Sequence, residues 1–152
     1  MITLKDTIEI KATPEKVYQW IEERFASKEN YQAWHPEHVD IRWIKGKSLR
    51  EGSIVYAEEY LHGKLQKLKF RITKVIPNKE IGYRALFPAS LFAPGNTFII
   101  EPKGNDSSIF TATGLLRAGP LFEKLGRNWF KATKRHMKEE GENIKKALES
   151  PE

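Results

Sequence analysis

The sequence predicts an α+β fold, a curved seven-stranded antiparallel sheet closed by one long C-terminal helix, with two short helices after the first strand. Three observations lead there. Apolar and polar residues alternate in seven short runs. Brief turns join the last six, whereas parallel neighbours would need long crossovers. A helical apolar period then governs the C-terminal stretch.

The elements follow in order. From Ile2 to Ala12 the side chains Ile2, Leu4, Ile8, Ile10 and Ala12 share one face and Thr3, Lys5, Thr7, Glu9 and Lys11 the other, the pattern of a half-buried strand. Thr13-Pro14 starts a helix carrying Val17, Trp20, Ile21, Arg24 and Phe25 at helical spacing and ending near Ser27. A second short helix or turn covers Asn30 to Trp34, and Pro36 breaks it just before Val39.

Strand patterns then succeed one another. Val39, Ile41 and Trp43 alternate up to Gly46, and Ser53 to Leu61 runs to a turn at His62-Gly63. Leu68, Phe70 and Ile72 mark the next strand, and Ile81, Tyr83, Ala85 and Phe87 the one after the Pro77-Asn78 turn. Thr97 to Glu101 and Ile109 to Arg117 complete the set. Between Pro88 and Gly95 lies a loop carrying Leu91 and Phe92, a cavity lid or contact surface in a loop position. The last helix runs from Pro120, a good first helical residue, to about Leu148.

With 152 residues, no internal repeat and no linker, the chain is expected to form a single domain spanning 1–152. No cysteine is present, which excludes thiolate metal sites and suits a reducing compartment. The sequence shows no signal peptide and no apolar run of membrane-spanning length, so a cytoplasmic protein is expected. The net charge of +6 is spread over strand faces and the last helix without interleaved aromatics, which argues against a nucleic-acid partner.

The last helix contains the anomaly. Taking Trp129 as zero, Phe122, Leu125, Phe130, Thr133, Met137, Ile144 and Leu148 occupy an apolar arc from about −40° to +100°. His136 and Glu140 fall inside it at roughly −20° and +20°, one turn apart. Buried ionisable groups need a partner, a hydrogen bond or a metal. Phe122, Leu125, Trp129 and Phe130 are candidate walls of a ligand cavity, with Leu91 and Phe92 beside it.

The element order, the stretch IEIKATPEKVYQW from Ile8 to Trp20 and the closing helix resemble the START and birch-pollen-allergen superfamily, also called SRPBCC or polyketide-cyclase-like. The resemblance covers nearly the whole chain and implies a helix-grip fold, in which the sheet wraps the last helix and leaves a cavity for a mostly apolar or aromatic small molecule. One branch, the zinc-dependent diacetylphloroglucinol hydrolases, carries His and Glu one turn apart on that helix, with a further His and Glu from earlier in the chain. His136 and Glu140 match the helical pair. The run WHPEHV, Trp34 to Val39, resembles the region supplying the other His, as His38 in preference to His35. For the fourth ligand Glu59, sharing a strand face with Val55, Ala57 and Leu61, is preferred to Glu58.

Two imidazoles and two carboxylates suit zinc, and also manganese or iron. Four protein ligands close a tetrahedral site, so catalysis there requires a weakly held carboxylate or a fifth position. The first functional reading is therefore binding of an apolar or aromatic small molecule. The second is hydrolysis of an acyl-aromatic or β-diketone substrate, with His35 or Tyr56 protonating the leaving carbon. A third is a non-catalytic partner-binding domain using the Leu91-Phe92 loop. The sequence does not set the oligomeric state.

Overall fold

The computed structural model describes residues 2–117 and 120–150, and in the last helix it describes side chains from Arg127 onward. Strand β1 (Ile2–Ile10) leads into helices α1 (Pro14–Arg24) and α2 (Lys28–Trp34). Six strands follow: β2 (His38–Lys45), β3 (Ile54–Leu61), β4 (Lys64–Ile76), β5 (Glu80–Ala85), β6 (Gly95–Lys103) and β7 (Ser107–Leu116). Helix α3 (Pro120–Glu149) closes the chain. All neighbouring strands are antiparallel, in the order β1-β7-β6-β5-β4-β3-β2. The expected seven-stranded sheet and long closing helix are both present.

Local chemistry explains the boundaries. Thr13 caps α1, its Oγ1 accepting from the Lys16 amide at 3.4 Å. Ser27 does the same for α2, accepting from the Asn30 amide at 3.1 Å, so this helix begins at Lys28, earlier than its apolar residues suggest. His62 and Gly63 turn β3 into β4 with φ of 53° and 74°. A two-residue hairpin turn of type I′ needs that left-handed backbone at both positions, and glycine supplies one without strain.

Two strand expectations shift. β4 spans 13 residues, well beyond Leu68 to Ile72, because cross-strand pairing with β3 and β5 extends it through lysine-rich positions that have no alternation of their own. β5 ends at Ala85, so Phe87 is not a strand residue, and its ring is 77% exposed. The segment that follows makes a single 3-10 turn at Ala89–Leu91.

The packed core gathers Ile10, Val17, Ile21, Trp34, Ile100, Phe110 and Ile144, all at most 1% exposed, where α1, α2 and the C-terminal half of α3 meet the sheet. Gly141 lets α3 approach β1 closely: a Cβ there would stand 3.2 Å from Ile8 Cγ2. Along the middle of α3, from Trp129 to Glu140, a cavity lies between helix and sheet. No helix among the described residues is long and apolar enough to cross a membrane.

Candidate functional site

The buried polar group of α3 meets its partners at the start of β2. The chain leaves α2 through a tight turn in which the His38 amide donates to the His35 carbonyl at 3.0 Å, and the Tyr60 amide donates to the Glu37 carbonyl at 2.8 Å. This docks the WHPEHV segment on β3 and pairs His38 directly opposite Glu59. Cross-strand partners share a face, so both side chains point towards α3.

Four donor atoms converge there. His38 Nε2 lies 3.1 Å from Glu140 Oε2, 3.2 Å from His136 Nε2 and 3.8 Å from Glu59 Oε2. His136 Nε2 lies 3.4 Å from Glu140 Oε2 and 3.8 Å from Glu59 Oε2. His38 and His136 are 3% and 4% exposed. An ion with bonds of about 2.0–2.1 Å to tetrahedral ligands holds those ligands about 3.3 Å apart, which is the spacing of His38, His136 and Glu140, while Glu59 stands farther off at 3.8 Å from each imidazole.

The other side of each imidazole is already committed. His38 Nδ1–H donates to the Tyr31 carbonyl at 2.9 Å, which leaves its Nε2 as the lone-pair nitrogen of the neutral ring. His136 Nδ1 faces Glu37 Oε1 at 3.1 Å, and Arg135 holds the other oxygen of Glu37 at 3.1 Å. Metal-ligating histidines are oriented in this way, one nitrogen anchored to a carbonyl or carboxylate and the other presented. The Tyr31 ring stacks on His38 with centroids 3.9 Å apart, and its hydroxyl donates to Glu59 Oε2 at 2.8 Å. Trp34 Nε1 donates to the Glu140 carbonyl at 3.1 Å and Asn143 Nδ2 to the Trp34 carbonyl at 2.9 Å, tying α2 to α3. The donor set and its supporting hydrogen bonds therefore fit a divalent ion.

The electrostatics agree with two imidazoles built against carboxylates. Burial alone would pull the His136 imidazole down, but Glu140, with Glu59 and Glu37, more than offsets it and holds the ring up at about 10. Burial pushes the Glu140 carboxyl up, yet His136 and His38 bring it well below the usual carboxylate range. Burial raises the Tyr31 and Tyr83 hydroxyls well above their ordinary value, and the charges of Glu59 and Glu140 raise them further, so both stay protonated.

His35 belongs to a different cluster. Its Nδ1 accepts the Glu37 amide at 2.9 Å, so the neutral ring carries its proton on Nε2, which lies 3.2 Å from Glu139 Oε1. That nitrogen has no lone pair for an ion, and His35 does not line the cavity. Burial, then neighbouring His136, lowers its pKa.

Three of these residues, Glu59, His136 and Glu140, line a cavity of about 130 Å³ between the sheet and α3, together with Asn96, Thr133 and apolar walls including Leu68, Phe70 and Met137. Trp129 lines it as expected. Phe130 does not; its ring packs on Trp129. Phe122 and Leu125 lie outside the described residues. Leu91 and Phe92 are half exposed and Ala93 is the loop residue that reaches the cavity. Tyr56 is on the opposite face of β3 from Val55 and Ala57, with the Arg42 guanidinium 4.7 Å above its ring, so it is not placed to protonate a cavity ligand. Glu58, its register partner Asp40 and Tyr60 are likewise not among the lining residues. Sequence reasoning missed Tyr31, Glu37 and Tyr83. Tyr31 and Tyr83 read as ordinary core aromatics, and Glu37 sits on a turn with no periodic face to betray it.

A seven-stranded sheet gripping a terminal helix, with a cavity between them, defines the helix-grip class. The family described as polyketide cyclase / dehydrase and lipid transport matches residues 1–149, and the chain belongs to that family. Solved structures share the fold. Truncated norcoclaurine synthase from Thalictrum flavum is 13% identical, with 99% of this chain and 95% of that one covered and a TM-score of 0.78. The Zhui aromatase/cyclase from Streptomyces sp. R1128 is 12% identical, with 97% and 93% covered and a TM-score of 0.75. The Aha1 dimer from Colwellia psychrerythraea is 23% identical, with 98% and 97% covered and a TM-score of 0.63. No curated protein sequence matches significantly.

Proposed function

We propose that the protein binds a divalent ion, zinc in the first instance, through His38, Glu59, His136 and Glu140, and presents it to a small, mostly apolar ligand in the sheet–helix cavity. The observation that carries this reading is the convergence of His38, His136 and Glu140, with Glu59 3.8 Å from both imidazoles, beside a largely apolar cavity that Glu59, His136 and Glu140 line, each histidine anchored through its far nitrogen. The reaction class it fits is hydrolysis of an acyl-aromatic or β-diketone compound. When bound, the ion supplies Lewis acidity towards a carbonyl oxygen and lowers the pKa of water.

The chain's own residues do the rest. Apolar walls exclude water and take up the ligand body. Tyr31 holds one oxygen of Glu59, restraining the carboxylate that stands farthest from the two imidazoles. Tyr83 lines the cavity and keeps its proton, so it serves as a hydrogen-bond donor to a cavity ligand.

Protein purified without chelator should contain close to one equivalent of zinc or a similar ion, and His136→Ala should lose it. Chelation should lower the melting temperature of the wild type and leave that variant nearly unmoved. If elemental analysis finds no metal, and added zinc leaves wild type and variant equally stable, the metal reading fails and carriage of an apolar ligand remains.

A further inference from the structure

A second concavity shares only Phe25, among the described residues, with the cavity beside the metal cluster. It is a groove of about 650 Å³ between α1 and the 46–53 loop that joins β2 to β3. That size falls within the roughly 300–1,000 Å³ of small-molecule sites. Phe25 and Trp43 give it half-buried aromatic walls, and the indole is fixed by Nε1 donating to the Phe25 carbonyl at 2.9 Å.

Tyr18 lines the groove and is only 7% exposed. Its hydroxyl has no hydrogen-bond partner among the described residues, yet it is not sealed off from the groove. A buried phenol usually finds a partner for its O–H. Burial, then the charge of Glu22, raises the Tyr18 pKa, so the hydroxyl keeps its proton and is available as a donor.

The facing loop is held in one shape. Gly46, at φ of 75°, brings the chain back so closely that a Cβ there would collide with the Ser53 hydroxyl. The Gly52 amide donates to the Ile72 carbonyl at 2.8 Å and the Ser53 amide to the Arg50 carbonyl at 3.0 Å. Leu49, 3% exposed, pins the loop to the core and leaves Lys47 and Arg50 outside. Both cations line the groove, and neither has an ion-pair partner among the described residues. Of the two acids in the groove, Glu51 accepts from the Val75 amide at 3.4 Å and Glu22 belongs to α1.

We propose that this groove is a second binding site, for a planar aromatic carboxylate: Lys47 and Arg50 take the carboxylate, the ring lies against Phe25 and Trp43, and the Tyr18 hydroxyl donates to a ligand oxygen. The chemistry selects this class. The uncommitted charges on the loop are both positive, and a guanidinium fork matches a carboxylate with two parallel hydrogen bonds. Aromatic walls favour a flat apolar body over a small inorganic anion. A loop already held in shape loses little freedom when the ligand arrives. The site owes nothing to the metal cluster.

The test titrates 2-naphthoate and its uncharged isostere 2-naphthamide into the full chain by calorimetry, with and without chelator. The wild type should bind the carboxylate at least about tenfold more tightly than the amide, and equally well in both conditions. Replacing both exposed cations, Lys47→Ala with Arg50→Ala, should abolish that preference. Lys64→Ala with Lys67→Ala, the same charge change on β4, should keep it. Tyr18→Phe, which retains the ring, should weaken naphthoate by roughly threefold or more. Melting temperatures identify folded variants, and Arg50→Gln alone keeps the comparison decisive if the double variant is unstable. Wild type that binds neither probe, or both equally, overturns the proposal. So does naphthoate binding that survives loss of both groove cations, or that falls equally in the two double variants. Affinity that vanishes with chelator places the probe at the metal cluster and overturns it too, and a folded Tyr18→Phe that binds like the wild type strikes the hydroxyl from the site.

Discussion

Glu37 lies between two histidines and serves them differently. Its backbone amide donates to His35 Nδ1, while its carboxylate receives His136 on one oxygen and Arg135 on the other. The first contact shapes the turn, whereas the second fixes which His136 nitrogen faces the cavity. Replacing such a carboxylate partner of a metal ligand costs about 10- to 100-fold in affinity. We expect Glu37→Ala to weaken zinc binding by that factor, read by competition with a chromophoric chelator, and Glu37→Gln to fall between it and the wild type. Glu139→Ala is the control, since Glu139 meets His35 and Arg135 but makes no bond to His136. Equal losses in Glu37→Ala and Glu139→Ala would mean that surface charge matters and not the orientation of His136.

At the scale of elements, the site depends on how α2 and α3 are joined. Two hydrogen bonds join the helices at Trp34, whose Nε1 donates to the carbonyl of Glu140 and whose carbonyl accepts from Asn143 Nδ2. Asn143→Ala should cost about 0.5–1.5 kcal/mol of stability by chemical denaturation. It should also lower zinc affinity, because His38 follows α2 while His136 and Glu140 ride on α3. A loss of stability with unchanged affinity would show that the sheet alone positions His38. The same elements show what was legible in the sequence. His136 and Glu140 stood out because helical periodicity placed two ionisable groups on a face that its other charged residues largely avoid. Strand alternation put Glu59, and not Glu58, on the cavity side, and the structure agrees. Alternation also sets Tyr56 on the outer face beside Glu58, but the proposed acid role ignored that rule. The supporting shell was hidden for another reason: Glu37 and Tyr31 act through a turn and a stack, and neither leaves a period. Phe130, at the edge of the apolar arc, turned towards Trp129 and away from the cavity because an arc says which face is buried and not what fills the space opposite.

For the whole molecule, the cluster couples folding to both protons and metal. In metal-free protein His136 is held at about 10 against an ordinary 6.5, so the folded state binds its proton more tightly than the unfolded chain does. That contribution is fully present below 6.5 and fades as pH rises through about 10. Glu140 acts in the opposite sense: its carboxyl is held below the ordinary 4.5, so its contribution is present above that pH and is lost on acidification. Metal-free protein should accordingly be most stable between about 4.5 and 6.5, as far as these two groups decide it. An ion at His136 Nε2 must displace the proton held there, and metal affinity rises with pH wherever a ligand has to be deprotonated. Zinc binding at pH 7 should therefore release close to one proton from His136, measured by calorimetry in two buffers of different ionisation enthalpy. The stabilisation by zinc, taken as the rise in melting temperature over the chelated protein, should grow from pH 6 to pH 8 even as the chelated protein weakens. Zinc binding with no proton release at pH 7 would place the ion away from His136, since no ion can share Nε2 with the proton that Glu140 holds there.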